Sequence, residues 1–346
     1  MLRIAVIGCG KITQVRHAPE YAENPNCELI GWYDAFRDRA QAMADQFGGQ
    51  VCESIDELLS LKPDAVSVCV ANCDHASVTI RALEAGCHVL CEKPMAVTLE
   101  ECEAMVEASE RTGKRLMLGH NQRFNRSHVE ARRMITSGEL GRVLSFHTMF
   151  GHPGPEGWTG SNNSWFYDKK RAAFGALADL GIHKTDLLHF LLGEQIVSVC
   201  AMTGAVHKTL PDGSRIPVDD NALCIYRTES GAIGQLHVSW TNYGEEDNST
   251  RIYCEKGVVR IYDDPEYSLI IENYQTDPVR LKLDEMTTNK KQTTGKRSTT
   301  GVIDAFVESI LTGVPSVADA PEAIKAMRVI FAAAKSAEEG RMVEVR

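Results

Sequence analysis

The chain opens Leu2-Arg3-Ile4-Ala5-Val6-Ile7-Gly8-Cys9-Gly10-Lys11-Ile12-Thr13, runs through a helical stretch to about Tyr21, and continues Glu28-Leu29-Ile30-Gly31-Trp32-Tyr33-Asp34. A short apolar run ending in a glycine turn that opens a helix is the start of a βαβ unit. Gly8 permits the tight turn. Gly10 lets the backbone approach a pyrophosphate, which then sits on the helix N-terminus. The third position of this fingerprint is Thr13 rather than Gly or Ala, which predicts slightly looser helix–strand packing. Asp34 ends the second strand 24 residues after Gly10. An acid there is placed for ribose hydroxyls, and its charge repels a 2′-phosphate, favouring NAD over NADP. Arg37 and Arg39 lie close enough to soften that preference. The alternative for Asp34 is a cap on the next helix. Together these residues predict a nicotinamide dinucleotide site that includes Gly8, Gly10, Lys11, Ile12, Asp34 and Arg39.

The alternation continues. Helices are predicted at Phe36–Phe47, Ser77–Ala85 and Thr98–Thr112, the last with a Thr98/Glu101 capping box. Strands are predicted at Ala65–Val70, His88–Cys91 and Arg115–Gly119. This is an α/β pattern with a parallel sheet. Past residue 120 the pattern changes. A helix is expected at Ser127–Ser137, a strand at Arg142–Met149, and a strong helix from about Ala178 to Leu192. Strands follow at Val197–Val206, Ala222–Thr228, Ala232–Trp240, Thr250–Glu255, Val258–Tyr262 and Ser268–Asn273, then helices at about Thr300–Thr312 and Pro321–Glu338. Short glycine turns at Gly231 and Gly257 indicate antiparallel hairpins. The expected organisation is a Rossmann domain over 1–120 and an α+β domain with a large, mostly antiparallel open sheet over 121–346. The last helix, about 321–338, has the option of packing back on the first domain.

Composition bounds the function. A length of 346 residues suits two domains, and 43 % hydrophobic with 24 % charged residues is ordinary for globular chains. The net charge of −10 argues against nucleic acid or an anionic membrane as partner. No apolar run reaches the roughly 18 residues a membrane span needs, and the N-terminus enters a strand without a signal-peptide pattern. The 11 cysteines form no C-x-x-C pair, so buried free thiols in a reducing cytoplasm are expected rather than a metal site.

Glu92-Lys93-Pro94 follows a parallel strand at its carboxyl end, where ligands bind in such sheets. The Lys93–Pro94 bond is a candidate for cis geometry. A surface lysine before a turn is the commoner reading of Lys93 from chemistry alone. Asp179 and His183 are four apart on a predicted helix and share a face. A histidine is suited to taking a hydroxyl proton. Asp179 would orient the ring or bind a neighbouring hydroxyl. Asp186 continues that face, which raises a metal site as an alternative; no metal is expected.

Gly8-Cys9-Gly10-Lys11-Ile12, His75 with Ala82-Leu83-Glu84-Ala85-Gly86-Cys87-His88-Val89, Glu92-Lys93-Pro94, and Asp179-Leu180-Gly181-Ile182-His183 with Asp186 resemble the Gfo/Idh/MocA oxidoreductases. The resemblance spans the chain. It implies NAD(P)-dependent oxidation or reduction of a sugar or cyclitol hydroxyl; Asp34 makes NAD the expected cofactor. It also implies a homodimer or homotetramer formed through the C-terminal sheet. Lys93, Asp179 and His183 match the catalytic positions, with His183 the acid/base and Lys93 assisting. His75 and Glu92 match cofactor-side positions. Ala71-Asn72 stands where the family often has Thr-Pro and is expected at the cofactor. Asn121 and Arg123 match a region near the substrate. The turn Ala173-Phe174-Gly175-Ala176 carries fewer glycines than the family's usual one.

The segment Gly151–Gly175 shows no periodicity, and loops of about 25 residues inside a domain are usually functional or disordered. Its Trp158, Trp165, Phe166, Tyr167, Asn162, Asn163 and Arg171 suit a sugar: rings cover C–H faces while amides and cations reach hydroxyls. Trp165 and Arg171 are the substrate candidates, with Tyr243 added after the strand ending at Trp240. Thr287–Thr300 reads as a solvated loop, with covering a partner's site as the alternative. Two other functions fit the resemblance: a redox-neutral NAD-dependent glycosidase or lyase, and a non-catalytic dinucleotide-sensing regulator. Retention of Lys93, Asp179 and His183 favours the dehydrogenase.

Overall fold

The computed structural model describes residues 1–159, 165–286 and 300–346. Asn162, Asn163 and all of the Thr287–Thr300 loop except Thr300 lie outside the described residues. The chain forms two compact units.

In the first unit, β1 (Leu2–Ile7), β2 (Cys27–Tyr33), β3 (Gln50–Val51), β4 (Ala65–Val68), β5 (His88–Cys91) and β6 (Leu116–Leu118) make a sheet in the order β3-β2-β1-β4-β5-β6. Every pairing is parallel. β1 and β4 sit side by side where the strand order reverses, so their carboxyl ends bound the crevice in which such sheets bind ligands. Central strands are apolar because both faces are covered: Ala65, Val66 and Val68 are fully buried. The expected capping box forms, with Thr98 Oγ1 accepting from Glu101 N and Glu101 reaching back to Thr98 N. Strand β3 and the helix Ile55–Ser60 were not expected; both are short, and Ser54 caps the helix.

Residues 300–324 group with this unit, not with the second domain as expected. The helix Val302–Thr312 buries Val302, Ile303, Phe306 and Val307, and Asn24 Nδ2 donates to Asp304 Oδ1 at 2.8 Å. Farther on, Leu118 N donates to Ala318 O at 3.0 Å and Arg115 pairs with Asp319 at 2.6 Å. The edge strand β6 is thereby covered rather than left open. Of the last helix, Ala320–Glu339, the residues from Lys325 onward group with the second unit.

The second unit is built on β7 (Val143–Gly151), β8 (Ile196–Gly204), β9 (Asn221–Thr228), β10 (Ile233–Ser239), β11 (Thr250–Cys254), β12 (Gly257–Ile261), β13 (Leu269–Asn273), β14 (Val279–Leu281) and β15 (Val343–Glu344). Their order is β14-β13-β12-β11-β7-β10-β9-β8-β15. All neighbours are antiparallel except β7 and β10, which run parallel. Strand β9 alternates strictly: Ala222, Cys224 and Tyr226 face the core, while Leu223 and Ile225 face out. The segment expected to be structureless carries short helical turns at Pro155–Thr159, Trp165–Tyr167 and Lys169–Ala172. Each is below the length at which apolar periodicity becomes visible.

Candidate active site

Gly8 adopts φ +94°, a conformation that glycine alone takes without strain. A Cβ there would come within 2.4 Å of Cys69 O. The loop therefore packs backbone-to-backbone on the end of β4. A Cβ at Gly10 would meet nothing within 4 Å, so that face of the loop is open. This open, glycine-lined turn at the switch point fits a dinucleotide pyrophosphate.

Thr13 is fully buried, and its hydroxyl donates to Gly8 O at 2.6 Å. The looser packing expected from Thr13 gives way to a direct tie between helix and loop. The helix starts with a π-turn, Thr13–His17, in which Ala18 N donates to Thr13 O. Lys11 is half-buried at the helix start, and Ile12 packs on the cluster containing Val6, Trp32 and Cys69.

Asp34 holds the loop from the other side. Its Oδ2 accepts from Cys9 N at 2.7 Å and its Oδ1 from Phe36 N at 2.8 Å. Arg39 lies over the Phe36 ring at 4.5 Å, and Arg37 pairs with Glu53.

Beyond β4, Ala71 and Asn72 are buried at the start of a short helical turn. His75, expected at the cofactor, is 1 % exposed and turned inward. Its Nδ1 lies 2.7 Å from Pro94 O and its Nε2 3.2 Å from Val70 O. Burial lowers its pKa, so the ring is neutral, and the shorter contact makes Nδ1–H the donor to Pro94. The Lys93–Pro94 bond is cis, and Lys93 is half-buried. Glu92 Oε1 meets His17 Nε2 at 3.0 Å. Burial alone would push the Glu92 carboxyl up; the His17 hydrogen bond and charge, with Lys93 and Arg16, hold it down at about 2. Asn121, His17, Glu20, Glu92 and Thr300, with Val302 and Ile303, line one small cavity of this unit.

In the second unit a π-turn, Leu177–Gly181, leads into the helix Ile182–Leu192. Asp219 braces the approach, accepting from Gly175 N at 2.8 Å and Leu177 N at 2.7 Å. Gly175 is required there, since a Cβ would fall 1.7 Å from Asp219 O. Ala173 takes φ +68° where a glycine would be unstrained. From Ala176 to Leu191 every residue is buried except Asp179 and His183. Asp179 Oδ2 accepts from Trp240 Nε1 at 3.1 Å. The His183 ring lies 5.9 Å from Phe150.

Trp165 stacks on Phe166 at 4.0 Å, and Phe166 and Tyr167 each pack against Trp240 at 6.4 and 6.0 Å. Arg171 lies 5.9 Å over Trp165. The two substrate candidates therefore belong to one aromatic cluster that reaches Asp179 through Trp240. Tyr243 is 60 % exposed and packs on His207 and Lys208 instead.

Arg123, expected at the substrate, is 4 % exposed and forms a bidentate pair with Asp186, both bonds 2.7 Å. A fork-to-fork pair of this kind satisfies both groups inside the fold, and it takes Asp186 away from the metal alternative. Sequence reasoning missed Trp240, Asp219 and Lys184. The first left a signal: a buried indole N–H needs an acceptor. Lys184 is fully buried beside His183, with Nζ donating to Asn248 O at 3.1 Å and to Asn248 Oδ1 at 2.9 Å.

Residues 2–120 match the family described as oxidoreductase family, NAD-binding Rossmann fold. Residues 128–260 match the GFO/IDH/MocA C-terminal domain. D-glucoside 3-dehydrogenase of Escherichia coli (strain K12) is 35% identical over 195 residues, 56% of this chain and 54% of that protein. The chain thus spans about half the length of that relative. Inositol 2-dehydrogenase 3 of Saccharopolyspora erythraea is 30% identical over 266 residues, 76% of this chain and 73% of that protein. The aldose-aldose oxidoreductase of Caulobacter crescentus superposes with a TM-score of 0.83 at 27% identity, over 99% of both chains. The chain belongs to the GFO/IDH/MocA oxidoreductase family.

Proposed function

We propose that the protein is an NAD-dependent dehydrogenase acting on a CH–OH group of a sugar or cyclitol. One observation carries the proposal: Asp179 and His183 alone escape burial along Ala176–Leu191, on a helix otherwise apolar or internally paired. Two half-exposed polar side chains on one face of an otherwise buried helix put a carboxylate and an imidazole where a substrate hydroxyl can reach them. The sugar- and inositol-acting relatives support the substrate class.

NAD, when bound, supplies the hydride acceptor. The backbone of Gly8–Ile12 holds the pyrophosphate, and Asp34 takes the adenosine ribose. Arg37 and Arg39 are occupied by Glu53 and Phe36, which supports NAD over NADP. His183 takes the hydroxyl proton, Asp179 orients the substrate or the ring, and Lys93 assists at the reacting oxygen. Trp165 and Arg171 contact the sugar.

We place the enzyme in the cytoplasm, because all eleven cysteines are unbridged. Among the described residues no helix is long and apolar enough to cross a membrane. We assign the outer face of the second sheet to a homodimer or homotetramer. Met202, Leu223, Ile225 and Ile233 are 50–77 % exposed on three adjacent strands, and exposed apolar side chains grouped on one sheet face are a feature of association surfaces. Leu223→Lys with Ile225→Lys should lower the oligomer mass measured by light scattering; an unchanged mass refutes this face.

His183→Ala tests the central assignment. Turnover should fall by at least about 100-fold with the NAD dissociation constant nearly unchanged. A parallel loss of NAD affinity would reassign His183 to the cofactor.

A further inference from the structure

Lys93 lies between two buried histidines on different helices. On one side, His17 ends the π-turn and is 3 % exposed. Its Nε2 meets Glu92 Oε1 at 3.0 Å and its Nδ1 meets Ser67 Oγ at 3.1 Å. Ser67 is held in turn by the hydroxyl of fully buried Tyr21 at 2.8 Å. On the other side, His75 grips the Pro94 carbonyl at 2.7 Å.

The Glu92 carboxylate is closely confined. Its Oε2 accepts from Lys93 N at 3.2 Å. Gly119 backs it so closely that a Cβ there would come within 3.0 Å of the carboxyl group. Glu92 N donates to Val68 O at 2.9 Å, fixing the backbone at the end of β5. The residues on either side of Lys93 are thus each held by a buried histidine: Glu92 by His17 and Pro94 by His75.

We propose that His17 is a positioning residue for Lys93: it holds the Glu92 carboxylate in one orientation, and Glu92 holds the Lys93 backbone. The His17 ring meets Glu92 and Ser67, and it acts on Lys93 only through Glu92. Ser67 and Tyr21 fix the ring plane, so that Nε2 is always presented to Glu92. This inference rests on the dehydrogenase reading only for the role of Lys93.

The charge state is set by the same contacts. Burial works against an imidazolium, but the Cys69 thiol and the Glu92 carboxylate beside it raise the His17 pKa. Around Glu92 stand His17, Arg16 and Glu20 from the first helix, Lys93 of its own loop, Cys91 of β5 and His75 from the helix after β4. Without His17 only Lys93 and Arg16 offset the burial of Glu92, so its pKa rises and its charge is lost at a higher pH than in wild type.

The test uses the full-length protein in two ways. First, His17→Gln, Glu92→Gln and the double variant are compared over pH 5.5–9. Each single change should lower kcat about 10- to 100-fold, with NAD affinity within about threefold. The double variant should be little worse than either alone, because the two residues act as one unit. His17→Gln should also gain an acidic limb in kcat that wild type lacks. Second, in histidine-labelled apoprotein the His17 resonance, assigned by its loss in His17→Gln, should not titrate between pH 6 and 8; in Glu92→Gln it should. If His17→Gln does not fold, Glu92→Gln and the wild-type titration still decide. A His17 that titrates normally in wild type, or single variants with wild-type kcat and pH profile, overturns the proposal. Wild type lacking any dehydrogenase activity would sink the parent reading instead, and the resonance titration would still judge the pair.

Discussion

Gly8 and Gly10 are two residues apart, and the structure assigns them opposite sensitivities. Gly8→Ala puts a side chain at φ +94°, which costs about 1–2 kcal/mol by itself. The new Cβ also lies 2.4 Å from Cys69 O, 2.5 Å from Cys69 C and 2.8 Å from Val70 N. All three are backbone atoms, so nothing rotates out of the way and the loop or the end of β4 must shift. Overpacking of that kind adds about 1–3 kcal/mol. The sum is about 2–5 kcal/mol, and a domain of this size loses about 2–4 °C of Tm for each kcal/mol. Gly10→Ala meets no atom within 4 Å, and φ at Gly10 is not positive. Its Tm should hold or rise slightly, since Gly→Ala at a compatible site stabilises by about 0.4–1 kcal/mol. The methyl group nevertheless stands on the open face of the loop, where a pyrophosphate must approach. NAD affinity should fall at least tenfold, about 1.4 kcal/mol. Thermal melts of the apoproteins and fluorescence titrations with NAD read both quantities. A Gly10→Ala protein that binds NAD like wild type would refute the pyrophosphate assignment. A Gly8→Ala protein that melts like wild type would refute the loop geometry.

Asp34→Ser should weaken NAD about tenfold and narrow its advantage over NADP, because the carboxylate repels a 2′-phosphate and also anchors Cys9 N; an unchanged ratio of dissociation constants counts against the ribose contact. Ala173→Gly should raise Tm, as φ +68° costs alanine about 1 kcal/mol and glycine little; a lower Tm would contradict that conformation. Burial pushes the Lys184 ammonium down to about 7, against the pull of Asp247, while an unfolded lysine titrates near 10.4. Between those values the unfolded chain binds more protons, so this group makes stability rise with pH. Denaturant melts at pH 6.5 to 9.5 should show Lys184→Met losing that slope, and identical slopes in both proteins would exclude an ammonium titrating in this window.

Much of the first unit was legible in the sequence because its signals are local. A strand apolar on both faces, such as Ala65–Val68, a capping box at Thr98 and Gly8-Cys9-Gly10 each act within a few residues. Asp179 and His183 were legible as a polar pair on an apolar helix. Partners distant in the chain were not. Arg123 looks like a free cation until Asp186, 63 residues on, closes over it. His17 looks like a helix residue of no consequence until Glu92, 75 residues on, meets it. Periodicity reports which face is buried, not what a buried polar group has found there. The two π-turns, each five residues long, are too short to disturb the helical pattern. The segment 300–324 was assigned to the wrong unit because its helices carry apolar faces that name no partner.

The most direct test follows NADH at 340 nm while inositols, free aldoses and simple glycosides are offered with NAD to protein already shown to bind NAD. The account predicts NADH formed one for one with an oxidised polyol or sugar, and none from His183→Ala at equal NAD occupancy. No NADH from any of them, or a glycoside cleaved while NADH stays constant, would contradict it.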